Sequence, residues 1–335
     1  MNLVEIINEL NFNVLFPLFI GFKFLLETYL KQRNIQSMED NKDAIPERFV
    51  GVVTEEEYKK SINYNTERIR FSMLTALISV GVLLLFTTGG LLNSLTKVVQ
   101  GVTQSNVVGI ILLGLFIVLI DEIIGIPLAI YSTFYLEEKY GFNKTTTKTF
   151  IQDLIKSLLI SIIFSSTLYA VVISIIERLG DNWWIYAFVA VFLFQAIIFY
   201  LYPVLILPLF NKLEPLEDGD LKDRLIALAD KAGFRAKTIE VMDGSKRSGH
   251  SNAFFTGFGR FRRIVLYDTL IEQMDTEELE AVLAHEIGHY KCGHVPKRLA
   301  LSALFGLAGF WFVAFLFLFF IFEDLGTNTK KTLQC

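Results

Sequence analysis

Long uncharged runs alternate with polar stretches along the whole chain. A bilayer core about 30 Å thick needs roughly 20 apolar residues of helix. Six runs meet that length: about Asn11–Leu30, Phe71–Leu92, Val107–Ile130, Leu154–Ile176, Trp183–Phe210 and Leu299–Phe322. The pattern predicts a polytopic membrane protein that is mainly α. The first run is the weakest, interrupted by Pro17, Lys23 and Glu27, and it lacks the basic leader and small-residue cleavage site of a signal peptide. It is expected to be a retained helix.

Between the fifth and sixth runs lies a long polar segment, Asn211–Arg298, whose periodicities differ. Leu221, Leu225 and Leu228 recur at helical spacing over Asp220–Ala232, and Gly233 follows as a C-cap. Thr238–Met242, Ala253–Thr256 and Arg263–Tyr267 read as short strands, with Gly257–Arg260 as the turn between the last two. Asp275 and Glu278 are spaced as a capping box, and Leu279, Val282, Leu283 and Ile287 give the helix after them an apolar face. The expected organisation is a membrane domain over 1–210 and a folded α+β domain, with a sixth span, over 211–335.

Lys and Arg are scarce before the first run and between the second and third, where only Lys97 occurs. They crowd Lys31–Arg70, Lys139–Lys148 and Asn211–Arg298. Alternate loops are therefore basic, which places the large polar segment in the cytoplasm. Composition adds little to this. The 335 residues are 53% hydrophobic with 31 Phe, more than a soluble core of this size requires. A formal charge of -4 and the lack of a basic face give no sign of a nucleic-acid partner. Cys292 and Cys335 are the only cysteines, so no disulfide framework is implied, and Cys335 has no residues after it to form a prenylation box.

One segment carries chemistry. His285 and His289 are four apart on the capped helix, so both imidazoles leave one face about a turn apart. That suits two ligands of a tetrahedral Zn2+. Glu286 lies beside them, where its carboxylate can take a proton from a water activated by the metal. A catalytic zinc needs a third protein ligand. His294 comes five residues after His289 rather than six and reads as a helix-end surface residue, and Cys292 reads as a free cytoplasmic thiol. Glu323 and Asp324 lie a whole span away, about 35 Å along a helix. The third ligand is therefore expected to be missing from this chain.

Four stretches, EEKYGFNKT (137–145), PLFNKLEPLEDGD (208–220), VMDGSKRSGHSNAFFTGFG (241–259) and AVLAHEIGHYKCGHVPK (281–297), resemble the type I CAAX prenyl protease family of integral-membrane zinc endopeptidases. The loop DAIPERFVGVV (43–53) is more similar to bacterial members. The resemblance implies a multi-span helical barrel around a water-filled chamber, with a cytoplasmic zincin-like domain. It implies His285 and His289 as zinc ligands and Glu286 as general base. It also implies a substrate-binding edge strand at His250–Phe254, where His250, Asn252 and Ala253 would meet an extended peptide. Implied substrates are membrane-associated peptides or proteins, prenylated ones included, cut near their C-termini. The implied membrane is the bacterial cytoplasmic membrane, or the endoplasmic reticulum in a eukaryote. The family continues with a further span and a helix whose Glu is the third ligand, so this chain is expected to be C-terminally shortened.

Two other functions fit parts of the chain: a catalytically silent homologue that binds peptides or serves membrane quality control, and a transporter using Asp121 and Glu122. Those two acids have two readings of their own. They line a hydrated chamber, or they sit near the interface because Pro127 breaks the third span. Trp183 and Trp184 read as an interfacial belt, and Pro203 and Pro208 as shaping the exit of the fifth span.

Overall fold

The structure is a computed structural model that describes residues 12–234, 238–256 and 263–332, with side chains from 14 and as far as 316. It divides into two compact units, Met1–Asn143 and Lys144–Cys335.

The first unit holds helices α1 (Phe12–Asp40), α2 (Glu55–Phe86), α3 (Leu91–Val102) and α4 (Asn106–Tyr131). Thr54 and Glu57 close a capping box at the start of α2, so that helix begins well before the apolar run at Phe71. It also stops before Leu92, the expected end of the second span. The chain reverses at Gly90, whose φ of 77° is left-handed, and α3 follows as a separate amphipathic helix. Pro127 does not break α4, which passes it and runs on through a π-helical stretch, Ser132–Glu137. Of the two acids on α4, Asp121 is exposed and Glu122 half-buried. A small aromatic cluster of Tyr64, Tyr140 and Phe142 fixes this end of α4 to α2, where the Tyr64 hydroxyl donates to Glu137 Oε1 at 2.8 Å.

The second unit holds α5 (Thr147–Arg178), α6 (Trp183–Leu201), a π-helical stretch at Tyr202–Ile206, α7 (Leu207–Phe210) and the sheet domain. Its strands are β1 (Leu213–Pro215), β2 (Thr238–Met242), β3 (Ala253–Thr256) and β4 (Arg263–Tyr267), in the order β1-β2-β4-β3. β2 and β4 pair in parallel, and each outer strand is antiparallel to its neighbour. Helices α8 (Asp220–Lys231), α9 (Asp268–Gln273) and α10 (Thr276–Lys291) surround the sheet, and α11 (His294–Thr332) leads away.

Alternation along β4 covers both faces of the sheet. Ile264 and Leu266 join the core made with Leu225 of α8 and Leu279, Leu283 and Ile287 of α10. Val265 points the other way, onto Met242 and Leu207 at the foot of the fifth apolar run. Gly233 ends α8 as expected: its φ is 70°, and the Phe234 N–H returns to the Ala229 carbonyl at 2.8 Å. The predicted turn at 257–260 lies outside the described residues.

Five helical stretches among the described residues are long and apolar enough to cross a membrane: Glu55–Phe86, Asn106–Glu137, Thr147–Arg178, Gly180–Phe210 and His294–Leu316. They correspond to five of the six expected spans. The first expected span does form a helix, α1, but is not among them. Lys23 and Glu27 lie in its middle, paired at 3.1 Å, and Lys31 follows. Its first expected residue, Asn11, lies outside the described residues.

Candidate metal centre

α10 is built by local rules the sequence states openly. Asp275 caps it, its Oδ1 accepting from the Glu277 and Glu278 N–H groups at 2.9 Å each, while Glu278 accepts from the Asp275 N–H at 3.0 Å. Leu279, Leu283 and Ile287 face the sheet and are almost fully buried. Arg224 of α8 grips Glu280 through two bonds, Nε to Oε1 at 2.7 Å and a terminal nitrogen to Oε2 at 2.9 Å. That guanidinium holds the Glu280 carboxyl below the usual carboxylate range. Asp275→Ala is expected to remove about 1 kcal/mol of stability. A fall in the melting temperature of the detergent-solubilised protein checks it.

With three of its apolar positions committed to the sheet, α10 turns its last two turns outward with His285, Glu286 and His289. His285 is exposed; Glu286 and His289 are half-buried. The two histidines converge: their Nε2 atoms are 3.1 Å apart. Two nitrogens on one tetrahedral zinc stand about 3.3 Å apart, so this donor pair fits such a metal. The position at the C-terminal end of the helix, where the dipole is negative, also favours a cation.

His294, expected to be a helix-end surface residue, stands at a helix end and is partly covered. It is half-buried at the start of α11, with its Nδ1 2.7 Å from His289 Nδ1. Cys292 is exposed. The side chains of Glu323 and Asp324 lie outside the described residues. Among the described residues no group of three His, Cys, Asp or Glu side chains is placed to hold a metal.

A cavity of about 740 Å³ opens beside this pair. Glu286, His289 and Tyr290 of α10 form one wall, and Phe254, Phe255 and Thr256 of β3 another. Gln195 and Tyr202, from α6 and the π-helical stretch after it, also line it, as does Phe234. Of these, Glu286, His289 and Phe254 belong to segments already singled out, whereas Gln195, Tyr202 and Phe234 carry no distinguishing signal in sequence.

β3 is an edge strand. The Asn252 carbonyl accepts from the Tyr267 N–H of β4 at 3.0 Å, so by the two-residue alternation of a strand the main-chain groups of Ala253 and Phe255 point away from β4. The Asn252 side chain turns back onto the Ala253 N–H at 2.9 Å. Asn252 also bonds to the Tyr267 hydroxyl, which opposes the upward push that burial gives that phenol. Asn252 is exposed, Ala253 buried and His250 half-buried. The His250 carbonyl accepts from the Thr269 hydroxyl at 3.0 Å. Behind this loop, Arg247 binds Asp153 of α5 through two nitrogens at 2.7 and 3.0 Å and Asn211 at 3.0 Å. That clasp was not legible beforehand, because its partners are far apart in sequence.

Comparison with known proteins bears on this arrangement. Residues 34–212 match the family described as CAAX prenyl protease N-terminal, five membrane helices, and residues 215–332 match peptidase family M48. CAAX prenyl protease 1 of Saccharomyces cerevisiae is 36% identical over 294 residues, covering 84% of this chain. The Arabidopsis thaliana homolog is 37% identical over 82% of the chain, and the Homo sapiens homolog 30% over 89%. The chain spans 64% of the yeast protein's length, 67% of the Arabidopsis protein's and 72% of the human protein's. The crystal structure of S. mikatae Ste24p superposes with a TM-score of 0.82 at 34% identity, covering 89% of this chain and 71% of that one. The family matches span both the membrane helices and the sheet domain that carries the His pair, and the chain belongs to the CAAX prenyl protease family of M48 peptidases.

Proposed function

We propose that this protein is a membrane zinc endopeptidase in which His285 and His289 bind the metal and Glu286 is the general base. The observation that carries the reading is the convergence of the two Nε2 atoms, 3.1 Å apart, with Glu286 beside them on the wall of a cavity that β3 also lines. Family membership supports a metal cofactor, and two imidazole nitrogens at 3.1 Å suit a tetrahedral zinc. Bound zinc would supply Lewis acidity to a water and to the scissile carbonyl.

The chain's own residues do the rest. The outward main-chain groups of β3 hold an extended peptide by strand addition, with His250, Asn252 and Ala253 at the start of that edge. For the Ala253 N–H to take part, the Asn252 side chain has to release it. Glu286 takes the proton from the attacking water and returns it to the leaving amine nitrogen, so the carboxylate ends as it began. The apolar walls of the cavity admit an aliphatic or aromatic side chain next to the cut bond and keep bulk water away.

The relatives' names support membrane-associated proteins of the CAAX type, prenylated ones included, as substrates. The Lys and Arg gathered in Asn211–Arg298, against the single Lys97 between the second and third runs, support a cytoplasmic position for the sheet domain. The compartment follows the organism: the cytoplasmic membrane of a bacterium, which the loop at 43–53 favours, or the endoplasmic reticulum of a eukaryote.

Metal analysis of the detergent-purified protein tests the core of this. With two protein ligands among the described residues, wild type is expected to bind zinc weakly but measurably, and His285→Ala to lose it. Equal metal content in the two proteins would sink the assignment of His285.

A further inference from the structure

We infer that His294 is a positioning residue for His289, fixing the tautomer and ring orientation that turn its Nε2 toward the metal. This rests on the zinc reading of the His pair. The two rings meet edge to face with centroids 4.9 Å apart, and their Nδ1 atoms are 2.7 Å from each other. At that distance one nitrogen must carry the hydrogen and the other must accept it.

The choice between the two arrangements is not symmetrical. A metal at His289 Nε2 needs a lone pair there, so the ring's single hydrogen must sit on Nδ1. His289 is then the donor, and His294 accepts with its own hydrogen on Nε2. In the reverse arrangement His289 carries its hydrogen on Nε2, aimed at His285 Nε2 3.1 Å away, and the metal face is blocked. His294 thus takes the place that a carboxylate or main-chain carbonyl often takes behind a ligating imidazole.

The chain holds His294 there by a tight reversal between two helices. α10 ends at Lys291, Gly293 takes a φ of 64°, and α11 starts at His294 itself. A Cβ on Gly293 would meet only Pro296 at 3.7 Å, so the demand for glycine comes from φ and not from space. Val295 and Pro296, next along the chain, line the cavity. His294 does not act as a ligand in this arrangement, because it meets His289 through Nδ1 while the converging metal-facing atoms are the two Nε2.

The test measures zinc affinity by chelator competition on the 335-residue chain in detergent, for wild type, His294→Ala, His294→Asn and His285→Ala. Asn places its Oδ1 close to where Nδ1 stands, so it can still accept from His289 but offers no imidazole. His294→Ala is expected to weaken zinc binding about 10–100-fold, and His294→Asn to restore it to within a few-fold of wild type. Where substrate turnover is followed, KM should stay near the wild-type value in His294→Ala while kcat falls. Affinity within about twofold of wild type for His294→Ala would overturn the proposal. So would equal losses in Ala and Asn, which would mean the turn and not the acceptor matters, or a complete loss in His294→Ala matching His285→Ala, which would make His294 a ligand. If wild type and all three variants bind no zinc, the metal reading itself has failed and this proposal falls with it.

Discussion

Glu286→Gln should lower peptide hydrolysis by a factor of about 10²–10⁴ while the metal stays bound. The substitution keeps size and shape and removes only the ability to take and return a proton. Glu286 does not belong to the core of the sheet domain, which uses Leu279, Leu283 and Ile287 of the same helix, so the fold has no stake in its charge. The pair of Nε2 atoms that would hold zinc does not involve it either. Three readouts on one preparation therefore separate: zinc content and melting temperature unchanged, turnover nearly abolished. Turnover of the Gln variant within about tenfold of wild type would remove Glu286 from the reaction and leave it as part of the cavity wall. Loss of zinc along with activity would instead make it part of the metal site.

The parts of the molecule that were legible in sequence are those governed by neighbours close in the chain. Asp275 and Glu278 announce the start of α10, and from that start the register of His285 and His289 on one face follows. Gly233 announces the end of α8, and the strands at 238–242, 253–256 and 263–267 fall where alternation and turn residues place them. The membrane half is less legible because hydropathy is indifferent to helix ends. An apolar run continues through Leu92, but the turn over residues 87–90, with Gly90 left-handed, separates α2 from the amphipathic α3. Thr54 and Glu57 carry the same capping signal as Asp275 and Glu278, so the early start of α2 was readable by a rule already in use. Pro127 failed as a breaker because a helix can absorb a proline by local adjustment, here with a π-helical stretch a turn further on. The contact between His294 and His289 was illegible for a different reason. Spacing tests for a third ligand ask whether a histidine can reach a metal, and they are silent on one that meets a neighbouring histidine through Nδ1.

The same blindness to long-range partners hid Phe234, whose truncation carries the largest expected cost in stability. It follows the C-cap of α8, where a short-range reading sees only the residue after a helix. In the fold it is 1% exposed and sits between two parts of the site, with ring centroids 4.5 Å from Phe255 of the edge strand and 5.0 Å from Tyr290 of α10. Phe234→Ala should cost about 3–5 kcal/mol, because the ring's burial is lost and the space it leaves cannot fully collapse between a sheet and a capped helix. The melting temperature in detergent should fall accordingly. Its effect on function should be uneven. The His pair is set by the register of α10 and by the buried face of that helix, so zinc affinity should hold in the protein that remains folded. The spacing between β3 and α10 loses its filler, so a peptide bound along the edge strand should be held less tightly against the metal wall. KM should therefore rise more than kcat falls. Restoring bulk with Phe234→Leu should recover much of both losses. A Phe234→Ala protein with wild-type stability would show that this ring is not the spacer its contacts make it. Loss of zinc at temperatures where the variant is folded would tie the metal pair to the strand rather than to its own helix.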